Sequence, residues 1–310
     1  MVNKETLNIV CAGECMAELT QKKIFKEEEG TDYTLNFAGD VINFAVYLKR
    51  LCNNSSIQFF SAIGNDLFSK KMKTFLIQEG ISADLVSISR DKTIGIYLVY
   101  NNEIGDRDFL YWRSDSAARQ MFELANQVKL LKALEQADYF YFTGITLAIL
   151  DQNSRDKLFD IAKKFRLSGK IVIFDPNYRP QLWPERKLAK QQFTRSYEVC
   201  NILLSSMDDE CGLWSDSEHS GILHRLSVYD IDEIVLSNGS KTIVGYAHGE
   251  TFEVPPAKPE SLVDTTAAGD GFNAGYIAAR HDGASPETSV IKASRNASMV
   301  VAHAGAILPK

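Results

Sequence analysis

The feature that most constrains this chain is a rhythm: short apolar runs of strand length recur between amphipathic stretches of helix length. The runs are LNIVCAG (7–13), IQFFSAI (57–63), DYFYFTG (138–144), KIVIFD (170–175), NILLSS (201–206) and EIVLSN (233–238). Between several of them lie segments 120–136, 151–167 and 187–199, where apolar residues recur at helical spacing. Strands that are apolar throughout, rather than at every second position, belong in sheets covered on both faces. The alternation therefore predicts a mostly parallel sheet with helices on either side. Several runs end in Gly, Asp, Ser or Asn. In open α/β sheets that is where ligands gather, beyond the carboxyl ends of the strands.

Two regions interrupt the rhythm. Residues 14–37 and 94–113 are extended pieces, the second with a hairpin-like turn at NNEIGD (101–106). They predict a small β-layer added to the main sheet, serving as a lid, an oligomer interface or both. No internal repeat or low-complexity linker divides the chain, and the Pro-rich EVPPAKPES (253–261) reads as a connection. One domain spanning 1–310, with lid pieces inserted in it, is the expected organisation. The net charge of −6, with both signs spread along the chain, lacks the basic footprint of a nucleic-acid binder. Five cysteines, odd in number and without a CxxC pair, point to free thiols in a reducing compartment. The amino end reads as a first strand rather than a signal peptide. No run approaches the roughly 18 apolar residues of a membrane helix. A cytoplasmic protein without a membrane partner is expected.

The stretch VDTTAAGDGFNAGY (263–276) carries the chemistry. Ala267, Ala268, Gly269 and Gly271 surround one carboxylate, Asp270, just before a helix-compatible run. The first N–H groups of a helix have no partner within it, and with the helix dipole they form an anion site. Small residues let a phosphate reach those donors. A carboxylate beside them can take a proton from an attacking hydroxyl while the backbone stabilises the group being transferred. That pairing fits phosphoryl transfer to an alcohol. The alternative is a small-residue turn with Asp270 as a helix cap. There is no Walker signature, and no GxGxxG follows the first strand, which disfavours a dinucleotide oxidoreductase.

DTTAAGDGFNAGY resembles the carboxy-terminal signature, DTxGAGD, of the ribokinase-like or PfkB family of carbohydrate kinases. FAGDVINFAVYLKRL (37–51) resembles that family's GGxxxNxAxxLxRL segment, with Ala38 for the first Gly, and 61–81 its GxDxxG region, with Ser69 for a Gly. The resemblance implies a three-layer α/β/α fold with a mostly parallel central sheet and a small β-sheet lid. It makes Asp270 the catalytic base and Ala267, Ala268 and Gly269 the anion hole. Ala267 stands where the family most often has Gly, and its methyl is tolerable if φ is negative.

FLYWRSDSAAR (109–119), FDPNYRPQLW (174–183) and GECMAEL (13–19) resemble the 2-keto-3-deoxygluconate kinases within that family. Independently, Arg113 and Arg179 sit on separate elements and could converge on a carboxylate, which arginine grips bidentately. The alternatives are a surface lid residue for Arg113 and a loop salt bridge for Arg179. The resemblance implies that both contact a sugar acid beside Tyr111, with Gly39, Asp40 and Asn43 on its hydroxyls and Tyr97 facing it from the lid. Asn43 could instead cap a helix, and Tyr97 could simply pack on its strand neighbours. Asp264 would contact the substrate or order the loop near a monovalent-cation site, or form an Asx-type turn. Asn177, Ser237, Gly239 and Ser240 are candidate nucleotide neighbours, Asn296 a base contact and His303 an adenine-side residue. The SNGS turn could equally be a hairpin connection, and His303 a packing residue. ATP transfer implies Mg²⁺ held by phosphates and water, without a dedicated protein cage. Glu210 of SSMDDECGLW would act near the metal through water, or Asp208, Asp209 and Glu210 merely favour a helix start. The activity so implied is ATP-dependent phosphorylation of the terminal hydroxyl of 2-keto-3-deoxygluconate. The alternatives are a neutral-sugar kinase such as a fructokinase, or a non-catalytic sensor on the same fold. Association into a homo-oligomer through the lid is expected.

Overall fold

The computed structural model describes residues 6–24, 31–101, 107–216 and 218–310. The strands, in chain order, begin with β1 (Leu7–Ala12), β2 (Met16–Ile24), β3 (Thr31–Ala38) and β4 (Ser55–Ile63). β5 (Val86–Ile88), β6 (Gly95–Asn101), β7 (Arg107–Trp112), β8 (Tyr139–Thr143) and β9 (Ile171–Asp175) follow. β10 (Ile202–Ser206), β11 (Glu233–Ser237), β12 (Ile243–Ala247) and β13 (Glu250–Val254) complete the set. Each of the six apolar runs is a strand of the large sheet. That sheet is ordered β13-β12-β11-β10-β9-β8-β1-β4-β5 and is parallel from β11 to β5. Antiparallel pairs β11–β12 and β12–β13 close one edge.

The unbroken apolar character of the strands follows from where alternate side chains go. Phe140, Phe142, Phe174 and Leu203 enter one buried cluster, while Tyr141, Ile173 and Leu204 enter another on the opposite face. Helices Gln152–Leu167 and Arg186–Val199 pack on the first cluster. Asp40–Leu51, Ala268–His281 and Pro286–Val300 pack on the second. Helices thus lie on both sides of the sheet. The single helix expected over 120–136 is divided into Met121–Leu124 and Gln127–Gln136. Asn126 starts the second by accepting a hydrogen bond from the Lys129 amide at 3.1 Å, and Ala125 is not helical. A residue that satisfies helix-terminal donors has overridden a continuous apolar period.

The interrupted regions form the small sheet, ordered β3-β2-β6-β7, with β2 and β6 parallel and hairpin partners outside them. Residues 25–30, and most of the NNEIGD turn at 102–106, lie outside the described residues. The small sheet joins the body at 13–15, at Gly39, at Gly95 and at Arg113, beside the carboxyl end of β1. Gly39 has φ 149°, and a Cβ there would stand 2.7 Å from the Glu14 carbonyl oxygen, so only glycine fits this joint. Among the described residues, no helix is long and apolar enough to cross a membrane.

Candidate active site

The carboxyl ends of β8 to β11, the start of helix Ala268–His281 and the underside of the small sheet enclose a cleft of about 710 Å³. From the small sheet and the helix it covers come Gly39, Asp40, Asn43, Tyr97, Tyr111 and Arg113. From the strand ends come Asp175, Asn177, Arg179, Ser205, Asp208, Asp209 and Ser237. The loop and helix start supply Thr265, Thr266, Ala267, Ala268, Gly269 and Asp270.

Asp270 is the third residue of its helix. Its Oδ2 accepts a hydrogen bond from Asn43 Nδ2 at 2.8 Å, and Asn43 Oδ1 accepts one from the Gly39 amide at 3.4 Å. Asn43 lies within the first turn of its own helix, and it also fixes the carboxylate of another. Asp40 accepts from Thr143 Oγ1 at 2.5 Å and from Asn177 Nδ2 at 3.3 Å. Burial, and then the Asp40 carboxylate, push the Asp270 carboxyl up to about 8, against smaller lowering effects from Asn43 and Arg179. Asp175 accepts from Asn273 Nδ2 at 2.9 Å and from Tyr141 OH at 3.2 Å. Burial and the nearby carboxylates of Asp209, Asp270 and Asp40 raise it well above the ordinary carboxylate range. Burial also raises Asp209, whose Oδ1 accepts from the Tyr178 amide at 2.7 Å and whose Oδ2 accepts from Ser206 Oγ at 2.6 Å. Opposite these acids stand Arg113, buried and paired with Glu14, and the half-exposed Arg179, 3.8 Å from Asp209.

The turn expected to form an anion hole differs from expectation in two details. Ala267 has φ 62°, so its methyl occupies the left-handed region rather than the negative φ that would make it easy. The Ala268 amide donates to the Thr265 carbonyl at 3.2 Å, and the Gly271 amide to Ala267 at 2.8 Å. The amides of Gly269 and Asp270 therefore remain as the first-turn donors without an intrahelical acceptor. A Cβ on Gly269 would meet nothing within 4 Å, so the space above this turn is open.

Several expected residues do not line the cleft. Asp264 accepts from Thr266 (2.7 Å to Oγ1) and from the Gly305 amide (2.7 Å), bracing the loop from behind in the Asx manner. Gly239 and Ser240 lie in the connection between antiparallel β11 and β12, away from the cleft lining. Asn296 donates to the Gly271 carbonyl at 2.6 Å and holds two helices together rather than facing a base. His303 is exposed, bonded to the Met299 carbonyl. Glu210 points away into an ion pair with Arg225 at 2.6 Å and accepts from Ser205 Oγ and Tyr197 OH, which corrects its expected place near a metal. Its neighbour Asp209 turns to the cleft because helical neighbours face different ways.

The pattern missed Asp175 and Asn273 as site residues. Asp175 was legible only as the end of a strand, although a strand-end aspartate in a buried apolar run is itself a signal. Nothing local in FNAGY marks Asn273 as its partner, 98 positions away.

The family model described as pfkB family carbohydrate kinase matches residues 6–310. The chain belongs to this family. The chain is 37% identical to 2-dehydro-3-deoxygluconokinase of Dickeya dadantii (strain 3937) over 309 residues, 98% of this chain and 97% of that protein. It is 34% identical to the protein of the same name from Escherichia coli (strain K12), covering 97% of each. The fold is similar to that of the PfkB protein from Polaromonas sp. JS666, with a TM-score of 0.82 at 23% identity over 96% of both chains. It also resembles 2-dehydro-3-deoxygluconokinase from Thermotoga maritima, with a TM-score of 0.80 at 20% identity, covering 97% of this chain and 96% of that one. As a member of this family, the chain is a carbohydrate kinase.

Proposed function

We propose that this kinase transfers the γ-phosphoryl group of ATP to the terminal hydroxyl of 2-keto-3-deoxygluconate, giving 2-keto-3-deoxy-6-phosphogluconate. The observation that carries the chemistry is Asp270: a buried carboxyl raised to about 8, aimed by Asn43, on the same helix turn as the open amides of residues 269 and 270. When ionised, such a group is a stronger base than an ordinary carboxylate, and it titrates near working pH. It accepts the hydroxyl proton as the oxygen attacks, and the first-turn amides hold the charge of the transferring group. Asp40, Asn43 and Gly39 bind sugar hydroxyls, and Tyr97 and Tyr111, with rings 5.7 Å apart, cover the substrate from the lid. Arg113 and Arg179 take the acid. The acid substrate is supported by full-length identity of 34–37% to the two bacterial 2-dehydro-3-deoxygluconokinases.

The nucleotide occupies the strand-end side, near Asn177, Ser205 and Ser237. Asp208 and Asp209 line this side of the cleft and would meet a phosphate-bound magnesium ion there, and crowding of Asp175 by Asp209 is the kind of repulsion a divalent cation relieves. Among the described residues no group of three acidic, histidine or cysteine side chains forms a cage, so phosphates and water would complete its shell. When bound, the ion supplies charge neutralisation on the phosphates. The loop braced by Asp264 is the place for a monovalent cation, tested by turnover in potassium against tetramethylammonium buffer.

We read residues 1–310 as one catalytic domain with an inserted lid, working in the cytoplasm, where its five free thiols stay reduced. Leu35, Leu19, Leu98 and Leu110 stand opposite one another across the four strands of the lid. This apolar row supports pairing with a second copy of the chain. The deciding assay is coupled ATP turnover over a panel of sugars and sugar acids. The acid should give the highest kcat/KM; a higher value with fructose or ribose would assign a neutral-sugar kinase instead.

A further inference from the structure

Glu14 lies where the chain leaves β1 for the lid, and Arg113 where it leaves the lid after β7. Their side chains form an ion pair between Arg113 Nη2 and Glu14 Oε2, with Glu14 at 2% exposure. Arg113 lines the cleft and Glu14 does not. The space for the pair is made by Gly95 at the start of β6: a Cβ there would stand 2.8 Å from Glu14 Oε1 and 3.2 Å from Arg113 Cβ. Three chain crossings between lid and body therefore meet on this one contact.

The pair is incompletely satisfied. Glu14 Oε1 and Arg113 Nε are both buried and have no hydrogen-bond partner among the described residues. Two partly buried arginines that also pair with a buried glutamate differ. Arg50 meets Glu79 with two nitrogens and also donates to the Leu308 carbonyl, and Arg280 meets Glu233 likewise and donates to the Ala284 carbonyl. A buried ion pair contributes to stability only when its remaining donors and acceptors are matched. The Glu14–Arg113 pair is poor by that standard, and it stands at the edge of a binding cleft.

We infer that Glu14 is a positioning residue for recognition of the substrate's carboxylate: it holds the Arg113 guanidinium in place at the joint between lid and body. The inference rests on the sugar-acid reading of the site. Arginine grips a carboxylate through a planar fork, so affinity depends on holding that plane. Glu14 supplies the hold from the side away from the cleft, and Gly95 supplies the room.

The test is steady-state kinetics with 2-keto-3-deoxygluconate and ATP, accompanied by thermal melts, for wild type, Glu14→Ala, Glu14→Gln, Arg113→Ala and the Glu14→Ala/Arg113→Ala double variant. Glu14→Ala should raise KM for the acid at least about tenfold while KM for ATP moves less than about threefold. Glu14→Gln keeps an acceptor for Arg113 Nη2–H and should restore most of the loss. In the Arg113→Ala background, removing Glu14 should add nothing further to KM for the acid, because its effect passes through Arg113. Equal rises in both KM values, an unchanged acid KM in Glu14→Ala, or a full Glu14 effect without Arg113 would each overturn the inference. A wild-type enzyme that prefers fructose to the acid would overturn the sugar-acid reading and this inference together. Normal wild-type turnover of the acid with an indifferent Glu14 would overturn this inference alone.

Discussion

At the scale of single residues, the site is a problem of placing buried carboxylates, Asp40, Asp175 and Asp270, close together. Asp270 has its folded pKa raised to about 8 from an ordinary 3.8. The folded protein therefore keeps a proton that the unfolded chain releases across that window, and this group makes stability fall as pH rises through it. Asp270→Asn should accordingly melt higher than wild type at pH 7, with the gap closing toward pH 4. Its turnover should drop at least about a hundredfold with little change in KM for ATP. A variant with wild-type turnover would remove Asp270 from the mechanism. For the same reason, kcat/KM should climb with pH to a plateau beyond about pH 8, the value set by burial and by Asp40. Asp40→Asn removes the neighbouring charge, so the surviving activity should show that limb at lower pH. An unmoved limb would show that another group titrates there. Ala267 offers a separate check. The left-handed region costs a non-glycine residue roughly 1–2 kcal/mol, and the greater freedom of glycine in the unfolded chain returns roughly 0.4–1 kcal/mol of that. Ala267→Gly should therefore stabilise modestly, seen as a higher urea midpoint with unchanged slope.

At the scale of elements, function depends on one helix being seated against two others. Ala268–His281 carries Asp270 and the open amides at its start, and packs between Asp40–Leu51 and Pro286–Val300. Gly275 permits the second contact: a Cβ there would lie 2.9 Å from Ala293 Cα, which is backbone and cannot yield. Gly275→Val should destabilise by about 1–3 kcal/mol through overpacking. It should also lower kcat, because a displaced helix takes Asp270 away from Asn43. Unfolding curves and turnover measured together check both. Helix boundaries show how far local pattern reaches. Gln152–Leu167 and Arg186–Val199 fall within a residue of the amphipathic stretches that announced them. Over 120–136 the apolar period is continuous while the helix is not, because capping by Asn126 is a hydrogen bond that periodicity does not register.

At the scale of the molecule, the lid is the part with two faces to account for. One face carries Tyr97, Tyr111 and Phe109 over the cleft, while the other carries the leucine row, in which Leu110, beside Trp112, is exposed and Leu35 packs on the body. If a second copy covers that row, light scattering should give a dimer or larger assembly at micromolar concentration. Leu110→Glu should then shift it toward monomer, because a buried unpaired charge opposes the interface. A wild-type protein that is monomeric throughout would end the oligomer proposal.

Taken alone, the sequence determined what depends on near neighbours in the chain: which runs are strands, that they lie in a covered parallel sheet, and that a small-residue turn precedes a helix bearing one acid. Those properties follow from hydrophobic period and residue size, which are local. The family resemblance also grouped Gly39, Asp40, Asn43, Tyr97, Tyr111, Arg113 and Arg179 with Asp270, but only the tertiary structure decided how distant side chains pair around the cleft. It joined Asn43 to Asp270 and Asn273 to Asp175, turned Asp209 in and Glu210 out, and set Asp264 and Asn296 behind the site as braces. Those outcomes depend on how helices and strands far apart in the chain are brought together, and on the electrostatics of groups that become neighbours only after folding. No window of sequence contains that information.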